Sequence, residues 1–216
     1  MERYPGLFVV FEGLDGSGST TQVKLLSGYL KERGYLVLET KEPTNNLIGG
    51  LIRGQLTHEW KTGQECLQLL FAADRAHHLE KEIIPAIKKG YIVISDRYMF
   101  SSMAFGGIDL DMEWIKKINE RFILPDITFL LRVSPQVCLE RIGKNRFGFQ
   151  LFEEKEKLEK TWMNYQKIKK EFPNVFEIDG EQEIERVHGD IVNVMDEFLK
   201  KDKKRISKTL SWYFED

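Results

Sequence analysis

Cysteine is scarce in this 216-residue chain, which has only Cys66 and Cys138. Two isolated thiols make neither a disulfide framework nor a zinc knuckle. Each falls in an apolar helical pattern, so both are expected to be buried and free. Histidine is nearly as rare. His58, His77, His78 and His188 show no metal-ligand spacing. Long apolar runs are missing too: Leu7 to Phe11 is far too short to cross a bilayer, so no membrane partner is expected. Met1 to Gly6 has no apolar stretch leading to a small-residue cleavage site, so a cytoplasmic setting is expected. An excess of one charge is also absent. Lys and Arg number 32 against 34 Asp and Glu, a formal net charge of −2, which argues against a stable nucleic-acid partner.

What remains is an alternation of short apolar runs and longer helical patterns. Leu7–Phe11, Tyr35–Leu38, Tyr91–Ser95, Ile127–Val133 and Val175–Ile178 read as strands, the first buried on both faces. Between them Gln22–Arg33, Gln64–Lys89 (bent at Pro85), Met112–Phe122 and Glu181–Leu199 read as helices. Strands joined by helical crossovers predict an α/β fold, a five-stranded parallel sheet flanked by helices. One domain is expected over residues 1–200, followed by a basic tail, 201–216, whose alternative is a plain solvated terminus. Around 143–151, two glycines and the cations Lys144 and Arg146 interrupt the helical pattern. This segment reads as a short lid or as a solvated turn.

The first strand runs into Glu12-Gly13-Leu14-Asp15-Gly16-Ser17-Gly18-Ser19-Thr20-Thr21, and a helix follows. Strand, glycine-rich loop and helix make a phosphate cradle: backbone N–H groups turn toward anionic oxygens, and the helix N-terminus adds partial positive charge. The pattern G-x-x-x-x-G-K-[ST] is met by Gly13, Gly18 and Thr20, but Ser19 stands where lysine is expected. Serine brings a hydroxyl in place of a full charge. Thr20 keeps the hydroxyl that can reach Mg²⁺. Further along, Phe71 and Arg75 lie four residues apart and share a helix face. Asp96-Arg97 follows a buried strand at its C-terminal end, where ligands of open α/β sheets bind.

Four segments, in this order, carry a resemblance: Phe11 to Gly18, Lys41-Glu42-Pro43-Thr44, Leu70 to His77, and Ser95-Asp96-Arg97-Tyr98 with its continuation to Phe105. Together they resemble the thymidylate kinase family over Leu7 to about Leu199. That family, with a P-loop NTPase-like fold, transfers a phosphoryl group from ATP to dTMP. The resemblance implies ATP and Mg²⁺ as cofactors and a homodimer paired through long helices such as Gln64–Lys89. It implies ATP binding by Gly13, Leu14, Asp15, Gly16, Ser17, Gly18, Ser19, Thr20 and Thr21. For the acceptor it implies Asp15, Glu42, Phe71 stacking on the base, Arg75 at the base edge, Arg97 on the phosphate, and Ser101, Ser102 and Phe105 around the pocket. Thr20 and Asp96 would serve Mg²⁺, partly through water. Gly16 replaces the P-loop arginine of some members, which makes Arg146 and Lys144, flanked by Arg141, the expected catalytic cations beside Arg97. The sequence departs from the family at Ser19, at Lys41, where many relatives have arginine, and at Gly106, where many bacterial members have glutamine. The alternatives are a related pyrimidine nucleotide or deoxynucleoside kinase, or a nucleotide-binding paralogue weakened by Ser19.

Overall fold

The sheet is organised around its most apolar strand. β1 (Leu7–Gly13) is buried at all seven positions, because strands flank both its edges and helices cover both its faces. On one side it pairs with β3 (Ile92–Asp96), Leu7 opposite Ile92 and Phe11 opposite Asp96. On the other it pairs with β4 (Ile127–Arg132), Val9 opposite Ile127. β2 (Val37–Lys41) and β5 (Val175–Asp179) form the edges. The order is β2-β3-β1-β4-β5 and every pairing is parallel. This computed structural model describes residues 5–143 and 149–201. Lys144, Arg146 and the tail from 202 onward lie outside the described residues.

The helices are α1 (Ser19–Glu32), α2 (Leu47–Leu56), α3 (Gln64–His78), α4 (Ile84–Lys88), α5 (Met99–Gly106), α6 (Met112–Asn119), α7 (Pro135–Arg141), α8 (Phe149–Glu171) and α9 (Ile184–Lys201). Side chains of β1 alternate between two cores, as strand geometry requires. Val9 and Phe11 pack with Leu26 and Leu30 of α1 and Ile191 and Met195 of α9. Phe8 and Val10 face the other way, toward Tyr98, Phe100, Met103 and Tyr165. Cys138 lies in this second core, and burial pushes its thiol up to about 11.

The five expected strands are present, and the differences have local causes. β2 starts two residues later than the apolar run suggests. Gly34, at φ 84°, turns the chain so that the Tyr35 amide bonds back to Leu30 O at 3.1 Å. Tyr35 therefore closes α1 and is not part of a strand. The long Gln64–Lys89 segment is helical without a break to Lys88 but carries a π-helical turn at Leu79–Ile83, directly before Pro85, where the widened turn accommodates a residue with no N–H to give. Cys66 corrects the expectation of two buried thiols: it is exposed. On α3 it shares an outward stripe with Leu69 and Ala73, while Leu67, Gln68, Ala72 and Arg75 point inward. α2, unforeseen in its glycine-rich segment, is capped by Asn46 Oδ1 accepting from Gly49 N at 3.1 Å.

Leu30 is fully buried between α1, the sheet and α9. Leu30→Ala should cost about 2–5 kcal/mol of stability, measured as a lower urea midpoint at unchanged slope.

Candidate active site

The glycine loop follows β1, Glu42 follows β2, and Asp96 and Arg97 stand at the end of β3, all at the C-terminal edge of the sheet. The end of β1 and the loop after it carry three glycines with positive φ: Gly13 at 157°, Gly16 at 84° and Gly18 at 94°. Gly18 precedes α1, and no side chain caps that helix, so its first N–H groups are open to an anion. At Gly16 a Cβ would lie 2.6 Å from the Cys138 carbonyl oxygen. No L-residue fits there without moving α7, which is why a loop arginine is excluded. The loop borders a cleft of about 580 Å³ whose wall includes Asp96, Arg97, Arg141 and Gln182.

Ser19 and Thr20 converge on one carboxylate. Ser19 Oγ donates to Asp96 Oδ1 at 2.7 Å and Thr20 Oγ1 to Asp96 Oδ2 at 2.5 Å. Among the described residues no group of three or more His, Cys, Asp or Glu side chains forms a ready-made metal site. One hydroxyl and one carboxylate, both hard oxygen donors, fit a divalent cation that takes its other ligands from phosphates and water. Arg141 bonds Gly180 O at 2.9 Å through Nη2, with Nη1 3.4 Å from Ser17 O. It brings a cation to the loop that lacks its lysine.

Arg97 adopts φ 74°, unusual for a non-glycine residue. Its amide bonds Phe11 O at 2.9 Å, and its guanidinium turns back over β1. Nη1 donates to Gly13 O and Ser101 Oγ, both at 3.0 Å, and Nη2 to Asp15 Oδ1 at 2.7 Å. The Phe105 ring lies 5.2 Å from the guanidinium carbon. Burial works against the Arg97 charge, but Tyr165, Asp15, Glu12 and Asp96 more than offset it and hold the group protonated.

Beneath Arg97 is a buried carboxyl, Glu12. Its Oε1 accepts from the amides of Tyr98 and Ser101 at 3.0 and 3.1 Å, at the start of α5. Its Oε2 accepts from Ser101 Oγ at 2.5 Å and Tyr165 Oη at 2.9 Å. Burial raises its pKa from the ordinary 4.5 to about 7, against the opposing pull of Ser101, Arg97 and Tyr165.

A second buried cluster surrounds Arg75, which is 1% exposed. Its Nε and Nη2 bond Glu42 Oε2 at 2.9 and 2.7 Å. Nη1 donates to Asn119 Oδ1, and Nη2 to Ser102 Oγ at 3.2 Å. Glu42 Oε1 also meets His78 Nδ1 at 3.1 Å. Asp74, the neighbour of Arg75, takes the Thr44 amide at 2.8 Å and its hydroxyl at 2.6 Å. The Glu42–Thr44 loop is thereby tied to α3. Phe71 is half-buried one turn before Arg75.

The residues expected to act together therefore fall into two adjoining groups. Gly13 to Thr21 and Asp96 line the loop. Arg97, Asp15, Ser101 and Phe105 form the second group with Glu12, and α5 joins it to Arg75, Glu42 and Ser102. Lys41 is exposed at the end of β2. Lys144 and Arg146 lie outside the described residues. Glu12, Tyr165, Asn119 and Asp74 had no role in the sequence reading. Glu12 and Asp74 lie inside quoted motifs and were open to notice as carboxylates in apolar surroundings. Tyr165 and Asn119 carry no local signal, because only the tertiary fold brings them near.

Comparison with known proteins agrees with this geometry. Residues 11–191 match the family model described as thymidylate kinase. A probable thymidylate kinase of Pyrococcus horikoshii is 41% identical over 194 residues, covering 87% of this chain and 94% of the relative. One from Thermococcus kodakarensis is 38% identical over 202 residues, covering 89% and 98%. A thymidylate kinase of a Thermoanaerobacter species is 37% identical over 201 residues, covering 90% and 99%.

The Glu12 carboxyl binds its proton more tightly in the folded state than in the unfolded chain. Its contribution to stability is therefore full below about pH 4.5 and is lost as pH rises to about 7. Glu12→Gln keeps the shape and removes the titration. Between pH 4.5 and 7 the wild type should lose about 3 kcal/mol relative to this variant, measured by urea unfolding at a series of pH values. Parallel stability curves would show that Glu12 does not titrate there.

Proposed function

Because the chain belongs to the thymidylate kinase family, we propose that it transfers the γ-phosphoryl group of ATP to dTMP, giving ADP and dTDP in the presence of Mg²⁺. The observation that carries this reading is the placement of the Arg97 guanidinium beside the phosphate loop, bonded to Gly13 O and Asp15 Oδ1. The acceptor phosphate is already an anion at neutral pH, so the transfer needs no strong base. Its demands are alignment and charge neutralisation.

In this reading the amides from Gly13 to Thr21 hold the donor phosphates. Arg97 takes the acceptor phosphate, and Asp15 keeps the guanidinium aimed. Thr20 and Asp96 would hold Mg²⁺, which when bound neutralises charge on the donor phosphates. Arg141 supplies part of the charge that Ser19 cannot, with Arg146 and Lys144 as further candidates from the lid. Phe71 and Arg75 receive the base, and Glu42 fixes Arg75. Both substrates being nucleotides, we place the reaction in the cytoplasm. Among the described residues no helix is long and apolar enough to cross a membrane.

We also propose a homodimer. The outward stripe of Cys66, Leu69 and Ala73 on α3 supports it, as do Leu47 and Leu51 on the neighbouring α2; Leu69 is 50% and Leu47 82% exposed. Light scattering should return twice the 25.3 kDa chain mass, and Leu69→Glu should return the single chain. A wild-type monomer at micromolar concentration contradicts the proposal.

The reaction itself is tested by ADP formation against a panel of nucleosides and monophosphates. dTMP should be the preferred acceptor, and Arg97→Ala should lower kcat/KM by about 10²–10³-fold, the scale of a lost electrostatic stabiliser. Binding of ATP without transfer to any acceptor would favour a nucleotide-binding paralogue.

A further inference from the structure

Gln68 is only 4% exposed, and its Oε1 has no hydrogen-bond partner among the described residues. A buried carbonyl oxygen left unpaired is unfavourable, and native folds tolerate one chiefly where something else takes the bond. Its position suggests what does. Gln68, Phe71 and Arg75 stand at i, i+3 and i+7, one stripe of α3. Both polar ends of the stripe reach α5. Arg75 Nη2 meets Ser102 Oγ at 3.2 Å. The Gln68 carboxamide lies against Gly106, where an added Cβ would come 2.7 Å from Cδ and 2.8 Å from Nε2. Ser102 and Gly106 are one turn apart on α5. A guanidinium and a carboxamide thus mark two levels of one helix–helix face, with the half-buried Phe71 between them in sequence.

The donor and acceptor inventory matches one ligand edge. Arg75 has five N–H donors. Four are committed to Glu42, Asn119 and Ser102, which leaves one Nη1–H. The unpaired atom of Gln68 is an acceptor. A thymine stacked on Phe71 presents O4, an acceptor, next to N3–H, a donor. Cytosine presents the reverse at both positions. We propose that Gln68 is a specificity-determining residue for the acceptor base: its Oε1 accepts the N3–H of thymine while Arg75 donates to O4. Gly106 is the counterpart that leaves the carboxamide room. This inference rests on the reading of the reaction as phosphorylation of dTMP.

The test is steady-state kinetics of wild type and variants with dTMP and dCMP, alongside thermal midpoints. Gln68→Met fills the space but has no carboxamide. It should raise KM for dTMP about tenfold or more and narrow the preference over dCMP, with KM for ATP, kcat and the thermal midpoint little changed. Gly106→Gln alone should lower the midpoint, because its Cβ collides with Gln68. Gln68→Ala combined with Gly106→Gln moves the carboxamide from α3 to α5 and should restore much of the dTMP preference. If wild type phosphorylates dTMP and Gln68→Met does so with the same KM and the same selectivity, Gln68 only packs and the proposal fails. If wild type phosphorylates another monophosphate and not dTMP, the reading of the reaction fails and takes this proposal with it.

Discussion

A carboxyl with no access to solvent ties the strand that leads into the glycine loop to α5 and α8. Glu12 is the sixth residue of β1, and its side chain points to the same face of the sheet as Phe8 and Val10. An ionised group there is costly unless it is fully hydrogen-bonded. The chain meets that demand with two amides from the start of α5, the Ser101 hydroxyl and the Tyr165 hydroxyl. Each partner is fixed in turn. Ser101 Oγ and Gly13 O receive Arg97, and Tyr165 brings α8 over the loop. The left-handed turn at Arg97 is held by the same contacts. A polar network in a low-dielectric interior is favourable when every member is satisfied and disruptive when one is missing. The Arg97 guanidinium is therefore held in place by Gly13 O, Ser101 Oγ and Asp15, and the proposed reaction would draw on that preorganisation.

The second buried charge follows the same logic on the other side of α5. Arg75 could not be almost wholly buried without Glu42, and Glu42 could not face it without the loop that Asp74 anchors through Thr44. A buried pair of this kind adds little net stability. Its effect is to fix direction: Asn119, itself held by its Nδ2 bond to Ile115 O at 2.8 Å, offers Arg75 its carbonyl oxygen and sets the plane of the guanidinium. In the proposed reaction, phosphate chemistry and base recognition are assigned to two separate buried networks that share α5.

Much of this was legible in the sequence. Parallel strands declare themselves as apolar runs because both faces are buried, and a glycine loop between strand and helix has few other uses. Phe71, Arg75 and Arg97 are singled out by the family resemblance; spacing by itself says only that the first two share a helix face, and position only that Arg97 follows a buried strand. What was not legible depends on distance in the chain. Tyr165 reaches Glu12 across 153 residues, and Asn119 reaches Arg75 across 44. Cys66 was misread because an amphipathic stripe does not say which side of a helix faces the core when both sides carry apolar residues. α2 was missed because glycine weakens the helical signal, and its formation rests on a cap and on packing against α3. Ser19 reads as a loss in the sequence. In the fold its hydroxyl joins Thr20 on Asp96, which ties the loop to the end of β3, and Arg141 stands 3.4 Å from Ser17 O.

The proposed reaction moves a phosphoryl group between two nucleotides. Phosphorus NMR of the full chain with ATP, Mg²⁺ and dTMP observes that transfer directly. Resonances of dTDP should grow as those of ATP give way to ADP, with no free inorganic phosphate accumulating in step. Release of inorganic phosphate with dTMP unchanged, or a spectrum that does not change at all while ATP remains bound, would contradict it.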